Sequence, residues 1–176
     1  IPLALLFNII WPPIQNGLDS LAMWMAGSGV IGIFLFGFLN RALIPVGLHH
    51  VINSYLWFQM GSFTNAAGDV VMGDIPRFLA GDPTAGVFMT GLYPVFLFGL
   101  PGACLAMYKC AKKDKKSEVK SLMISGAGTC FIAGITEPVE FLFEFVSPKL
   151  YLLHCLFSGL GGAIFYFMNV RLGISY

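Results

Sequence analysis

The sequence predicts an all-α membrane protein, built from polytopic transmembrane helices with re-entrant or broken helical segments. Of its 176 residues, 57% are hydrophobic and only 11% are charged, less than half of the roughly 25% found in average soluble domains. The apolar runs are also long, and about 20 apolar residues in a helix are enough to cross a bilayer. The alternative, an unusually apolar soluble core, does not account for runs of this length.

Three apolar runs are long enough to cross a bilayer. Residues 21–39 and 87–108 contain no charged side chain, and His154 is the one side chain in 150–170 that could carry a charge near neutral pH. Residues 1–10 are too few to cross, so we expect them to be the end of a helix that Trp11, Pro12 and Pro13 terminate. We expect the whole chain, 1–176, to be a single domain and an internal fragment of a larger membrane domain.

Two further apolar segments carry ionisable side chains. Residues 40–60 contain Arg41, His49 and His50 around Pro45, and ionisable groups at membrane depth are costly unless they face protein or water. The other segment breaks at Gly134 and continues into three glutamates. Broken helices at that depth usually line a cavity, so we expect both segments to be broken or re-entrant.

The polar segments set the orientation. Residues 61–86 form a long Gly-rich loop, and such loops inside compact domains are usually functional. Six of the ten Lys and Arg residues lie between Lys109 and Lys120, which places this stretch in the cytoplasm by the positive-inside rule. A topology anchor is the favoured interpretation of the stretch, with a docking surface for a soluble partner or anionic lipid as the alternative.

Two groups of residues are candidates for a site. Arg41, His49 and His50 could bind hydroxyl groups or exchange protons, although interface histidines and a snorkelling arginine would fit the same pattern. Glu137 directly precedes a proline, so we expect it to be extended and available to a ligand. We favour Glu137 over Glu140 and Glu144, whose i, i+4 spacing would suit a solvated helix face.

Several chemistries have no signature in the sequence. A net charge of +1 gives no indication of nucleic-acid binding, and the four cysteines lack metal or redox spacing. Nucleotide-binding loops, metal-ligand clusters and Ser-His-Asp patterns are also missing. We therefore expect neither a cofactor nor a metal.

Four segments then resemble one family: FGFLNRALIPVGLHHVIN (36–53), FTNAAGDVVMGDIPRFLAGDPTAG (63–86), FGLPGACLAMY (98–108) and AGITEPVEFLF (133–143). They are similar to the glucose-superfamily C component of enzyme II, the membrane domain of the phosphoenolpyruvate-dependent sugar phosphotransferase system. The resemblance covers nearly the whole chain. It implies a homodimeric permease of the bacterial inner membrane, whose sugar receives a phosphoryl group on its 6-hydroxyl from a phosphocysteine of the B component.

The resemblance also implies site residues. Glu137 and His49 are the expected catalytic residues, and the expected sugar-binding residues are Arg41, His49, His50, Thr136, Glu137, Asn65 and Asp82. The phosphocysteine motif of the B component has no match here, so this chain would need that partner. Residues 57–68 and 88–108 are most similar to N-acetylglucosamine permeases, and 74–86 to glucose permeases, which favours N-acetylglucosamine.

Two other classes of protein fit the residue chemistry. An ion-coupled sugar symporter would use intramembrane His and Glu as a proton relay and would deliver free sugar. A sugar-sensing membrane module would bind sugar without turnover. The identity of the sugar product separates these classes from a phosphotransferase permease.

Overall fold

The computed structural model describes residues 2–173, apart from the Leu18 side chain, and these residues are mainly helical with two short strands. A 3₁₀ turn at Ile44–Val46 and a π-helical turn at Val95–Gly99 interrupt the α-helices. The elements are, in chain order, α1 (Pro2–Gly27), α2 (Gly29–Ala42), α3 (His49–Phe58), β1 (Ser62–Thr64), β2 (Val70–Met72), α4 (Asp74–Leu79), α5 (Val87–Thr90), α6 (Leu100–Cys110), α7 (Lys116–Ala133), α8 (Glu137–Glu144) and α9 (Pro148–Phe167).

The N-terminal part differs from the prediction in two ways. Helix α1 runs through Pro12 and Pro13 to Gly27, so these prolines do not end it; apolar membrane helices tolerate proline better than soluble helices do. The run 21–39 is not one crossing helix, because the chain turns between α1 and α2 at Gly29, whose φ is +57°. This left-handed conformation suits glycine, which has no Cβ to clash.

Two helical stretches in residues 2–173 have the length and composition to cross a membrane. They are Val87–Cys110, which contains α5, the π-helical turn and α6, and Pro148–Phe167, which is α9. They match two of the three predicted runs. Residue Leu172, just after α9, donates its backbone N–H to the Gly86 carbonyl just before α5, at 3.1 Å. The C-terminal end of α9 therefore lies beside the start of α5, and the two stretches run in opposite directions.

Within residues 2–173, helices α2 and α9 make the most extensive helix pair. A Cβ added at Gly37 would lie 2.7 Å from the Ser158 carbonyl oxygen, and one added at Gly159 would lie 2.6 Å from the Phe34 carbonyl oxygen. Small residues at both positions let the two backbones approach, as is usual between membrane helices. This contact fixes the C-terminal end of α2, where Arg41 lies, against α9.

Both predicted breaks are present. After α2, the chain makes the 3₁₀ turn and then a left-handed turn at Gly47, with φ +73°, before α3 begins at His49. After α7, Gly134 has φ +67°, and α8 begins at Glu137. Glu137 is thus the first residue of a helix and is not extended, because a proline in the first turn of a helix needs no N–H partner.

The polar stretch 61–86 folds into a small antiparallel hairpin, β1–β2, followed by α4. The buried Asp74 carboxylate accepts hydrogen bonds from the backbone N–H groups of Gly86 (3.0 Å) and Phe88 (3.2 Å). The first N–H groups of a helix have no partner within the helix, and Asp74 supplies one for these two at the start of α5. Asp74 therefore ties this stretch to the beginning of the first candidate span.

Candidate functional site: a polar cavity between the broken helices

A cavity of about 820 Å³ lies where the two chain breaks meet. Small-molecule sites typically range over about 300–1,000 Å³. Part of the lining is aromatic and apolar, and part carries ionisable groups. Its polar and aromatic lining comes from Arg41, His49, His50, Asn53, Trp57, Tyr93, Phe96, Thr136 and Glu137.

His49 and Glu137 lie next to each other in the cavity lining. His49 Nε2 lies 3.6 Å from Glu137 Oε1, and the side chain of His49 is only 7% exposed, against 32% for Glu137. Glu137 Oε2 accepts a hydrogen bond from the Thr136 backbone N–H at 3.0 Å. Neither ring nitrogen of His49 has a hydrogen-bond partner within residues 2–173. A buried imidazole that makes no hydrogen bond, next to a partly exposed carboxylate, can donate a hydrogen bond to a ligand or accept one from it.

His50 stands beside this pair. The rings of His49 and His50 have centroids 4.0 Å apart and planes tilted by 37°, and one ligand atom from each of His49, His50 and Glu137 falls within 4.8 Å of the others. These three are the described residues best placed to hold a metal ion. The two rings lie against each other with tilted planes, and an ion shared by both would need a ring nitrogen of each directed at it.

Arg41 is held in the wall by two side chains of the second break. Its Nη1 donates to Thr136 Oγ1 at 2.7 Å and to Glu140 Oε1 at 2.9 Å. Thr136 Oγ1 in turn donates to Glu140 Oε2 at 3.2 Å. The Arg41 Nε–H is buried and has no partner within the described chain. The guanidinium therefore keeps donor capacity beside the cavity while its charge is balanced by Glu140.

Helix α9 contributes two further side chains that contact Arg41 and Glu140. His154 Nε2 lies 2.7 Å from Glu140 Oε1, and the Tyr151 hydroxyl donates to the Arg41 backbone carbonyl at 2.5 Å. The i, i+4 spacing of Glu140 and Glu144 would have suited a solvated face of α8, and the structure has no such face at these two residues. Glu140 is fully buried and Glu144 is 8% exposed, since both carboxylates point into the helix packing.

The structure brings five of the seven predicted site residues to one place: Arg41, His49, His50, Thr136 and Glu137. Asn65 lies in the β1–β2 turn, where its side-chain oxygen accepts the backbone N–H of Ala67 at 3.0 Å and of Asp69 at 2.9 Å. It does not line the cavity.

Asp82 is also elsewhere, in the segment after α4. It pairs with Arg77 at 2.6 Å and accepts two hydrogen bonds from Thr84. Burial alone would raise the pKa of Asp82, but the hydrogen bonds from Thr84 and Arg77, with the charge of Arg77, outweigh it and hold the pKa below the usual value.

Sequence reasoning missed Glu140, His154 and Trp57. Glu140 lies three residues after Glu137, so the two share neighbouring positions on α8, and this spacing was a usable signal. Trp57 lines the cavity with a buried indole N–H that has no partner in residues 2–173. His154 belongs to a distant segment, so only the fold could place it.

Together, the fold and the cavity define a helical protein with two stretches long and apolar enough to cross a membrane and a polar cavity between its broken helices. The model of the family described as "Phosphotransferase system, EIIC" matches residues 1–159. The chain therefore belongs to the EIIC family, the membrane component of phosphotransferase-system enzyme II complexes.

Curated relatives agree with this membership. The chain is 49% identical over 174 residues to the "PTS system N-acetylglucosamine-specific EIICBA component" of Escherichia coli (strain K12), covering 99% of this chain and 27% of that protein. It is 49% identical to the N-acetylglucosamine-specific EIIC component of Streptomyces coelicolor, covering 97% of this chain and 41% of that protein. Identity to the glucose-specific EIICBA component of Staphylococcus carnosus is 46%, over 99% of this chain and 27% of that protein. The chain thus spans between about a quarter and two fifths of the length of these relatives.

Proposed function

We propose that this chain forms part of a sugar permease that binds N-acetylglucosamine and carries it across the bacterial inner membrane while the sugar is phosphorylated on its 6-hydroxyl. The observation that carries the proposal is the convergence of Arg41, His49 and Glu137 on one cavity at the two chain breaks. Family membership supports the class of protein. The names of the relatives favour N-acetylglucosamine over glucose.

The cavity has the character of a carbohydrate site. Hydroxyl groups both donate and accept hydrogen bonds, and the cavity offers a carboxylate, imidazoles, a guanidinium and an amide. The aromatic wall, with Trp57, Tyr93 and Phe96, suits the apolar face of a pyranose ring.

The chemistry is an in-line phosphoryl transfer. The S–P bond of a phosphocysteine on the B component breaks, a bond forms between phosphorus and the sugar O6, and the cysteine leaves as thiolate. Glu137 accepts the proton of the 6-hydroxyl, and His49 orients that hydroxyl and donates to the incoming phosphoryl oxygens. Positioning and charge stabilisation dominate such reactions.

The topology follows from the basic stretch. With Lys109 to Lys120 in the cytoplasm, the start of α5 and the end of α9 lie on the opposite side, together with the hairpin and α4. The breaks around His49 and Glu137 are then re-entrant segments that meet within the membrane. The full protein acts as a homodimer and receives phosphate from the phosphorylated B component at the cytoplasmic side.

The test uses membranes with the full-length protein, its B component and the soluble phosphotransferase proteins. Phosphoenolpyruvate and labelled N-acetylglucosamine are added, with and without excess glucose. Labelled sugar phosphate that persists in glucose supports the proposal. Product that glucose abolishes would reassign the sugar to glucose.

An ion-coupled symporter remains the competing function, because the buried pairing of His154 with Glu140 resembles a proton relay. It predicts free labelled sugar inside vesicles, no sugar phosphate, and loss of uptake when an uncoupler removes the proton gradient. That result would refute the phosphotransferase proposal.

A further inference from the structure

Behind the cavity wall, four side chains from three parts of the fold form one connected unit. Arg41 comes from α2, Thr136 and Glu140 from the second break and α8, and His154 from α9. Glu140 is the centre of the unit: Oε1 contacts Arg41 at 2.9 Å and His154 at 2.7 Å, and Oε2 accepts from Thr136 at 3.2 Å.

We infer that Glu140 is a positioning residue, which holds the Arg41 guanidinium in the cavity wall in the orientation that binds sugar. This inference rests on the proposed function of the cavity. Glu140 itself is fully buried and does not line the cavity. It therefore acts on the sugar through Arg41 and Thr136, which do.

The physical reason is that Arg41 has too much freedom to place itself. A guanidinium carries five N–H donors on a flexible stem, and Nη1 is fixed only by Thr136 and Glu140. Nη1 is occupied by Thr136 and Glu140, and the guanidinium is planar. The directions of its remaining N–H donors are therefore fixed by these two hydrogen bonds. The carboxylate of Glu140 sets the plane of the Arg41 guanidinium. Its Oε1 accepts directly from Arg41, and its Oε2 orients the Thr136 hydroxyl, which also accepts from Arg41.

His154 completes the positioning of the carboxylate. Its Nε2 contacts Glu140 Oε1, the same oxygen that accepts from Arg41. Glu140 is therefore held by α9 as well as by α2. Both partners donate best to an ionised carboxylate, because charge-assisted hydrogen bonds are shorter and stronger than neutral ones. A glutamine at this position would present an NH₂ donor to Arg41, Thr136 or His154 and could not satisfy all three.

Glu144 supplies a matched control. It lies one turn further along α8 and is 8% exposed; its Oε2 is buried without a hydrogen-bond partner among the described residues. Glu144→Gln therefore removes a second buried carboxylate from the same helix and leaves every hydrogen bond of the Arg41 unit in place. A general effect of charge removal on α8 would appear in both variants.

The experiment measures labelled N-acetylglucosamine binding to the full-length protein in a double-mutant cycle. The variants are Glu140→Gln, Arg41→Lys and their combination, with Glu144→Gln as control and melting in detergent as the check of folding. Arg41→Lys keeps the charge but lacks the planar fork. We expect Glu140→Gln to weaken sugar affinity about tenfold alone and less than about twofold in the Arg41→Lys background, since residues that act through one another are not additive.

Equal losses in both backgrounds, or an equal loss in Glu144→Gln, would overturn the inference and leave Glu140 a structural residue. Undiminished sugar affinity in folded Glu140→Gln would overturn it as well. If Glu140→Gln does not fold, Glu140→Asp replaces it in the cycle with the same criteria, because it keeps the charge but shortens the reach to Arg41. If the unmodified protein binds no sugar, the proposed function itself fails, which the wild-type measurement shows separately.

Discussion

The contact between α2 and α9 gives a prediction that links packing to the site. Gly37 lies one turn before Arg41, and a methyl group there would meet the Ser158 carbonyl oxygen at 2.7 Å and the Gly159 Cα at 3.0 Å. Both atoms belong to the backbone and cannot rotate away. Gly37→Ala must therefore push the two helices apart.

The size of the effect follows from these distances. Non-bonded heavy atoms reach optimal separation at about 3.5 Å, so the new methyl group is roughly 0.8 Å too close to the carbonyl oxygen. Overpacking of this kind typically costs about 1–3 kcal/mol. The separation also moves Arg41 relative to Tyr151, whose hydroxyl donates to the Arg41 carbonyl, so we expect weaker sugar binding besides lower stability.

The assay compares the melting temperatures of purified full-length variants in detergent. Gly128→Ala, within α7, is the matched control, because a Cβ at Gly128 meets no atom within 4 Å and alanine favours helix over glycine by about 1 kcal/mol. Gly37→Ala should lower the melting temperature, and Gly128→Ala should leave it unchanged or raise it. Equal melting temperatures for the two variants would refute the packing argument.

Two further predictions concern polar groups. Thr136→Val should cost about 1–3 kcal/mol, because it leaves buried Arg41 and Glu140 with unmade hydrogen bonds, whereas the control Thr129→Val loses only a bond to a carbonyl of its own helix; unfolding in denaturant measures both. Asp82→Asn should lower the melting temperature by a constant amount above about pH 4, near the unfolded pKa of aspartate, because the folded pKa is lowered. That difference should shrink as the pH falls through the folded pKa, and a difference that grows toward acid would contradict the assignment.

Composition and apolar run length were sufficient to predict the helical membrane class and two stretches of crossing length. The length of the uncharged run 21–39 could not predict the turn at Gly29. That turn depends on a left-handed backbone conformation at one glycine in a run that is otherwise uniformly apolar. The course of α1 through Pro12 and Pro13 was missed for a related reason. Proline rules derived from soluble helices overstate its effect in apolar ones.

The two breaks, by contrast, were visible, since Pro45 with Gly47 and Gly134 with Pro138 interrupt apolar segments that also carry charge. Their meeting in one cavity is a property of the fold. The burial of Glu140 could not be predicted from its spacing to Glu144, because i, i+4 carboxylates fit a solvated face equally well. Only the positions of Arg41 and His154 in space identify the partners that a buried carboxylate requires.

The most direct test of the central claim measures phosphorylation of labelled N-acetylglucosamine by the full-length protein with Glu137→Gln or His49→Gln, beside Glu144→Gln. Each of the first two should abolish phosphorylation, a loss of at least about 100-fold as expected for a group that handles the transferred proton, with normal amounts of protein in the membrane. Glu144→Gln should remain active. Unchanged turnover in Glu137→Gln or His49→Gln would show that the cavity between the broken helices is not where the sugar is phosphorylated.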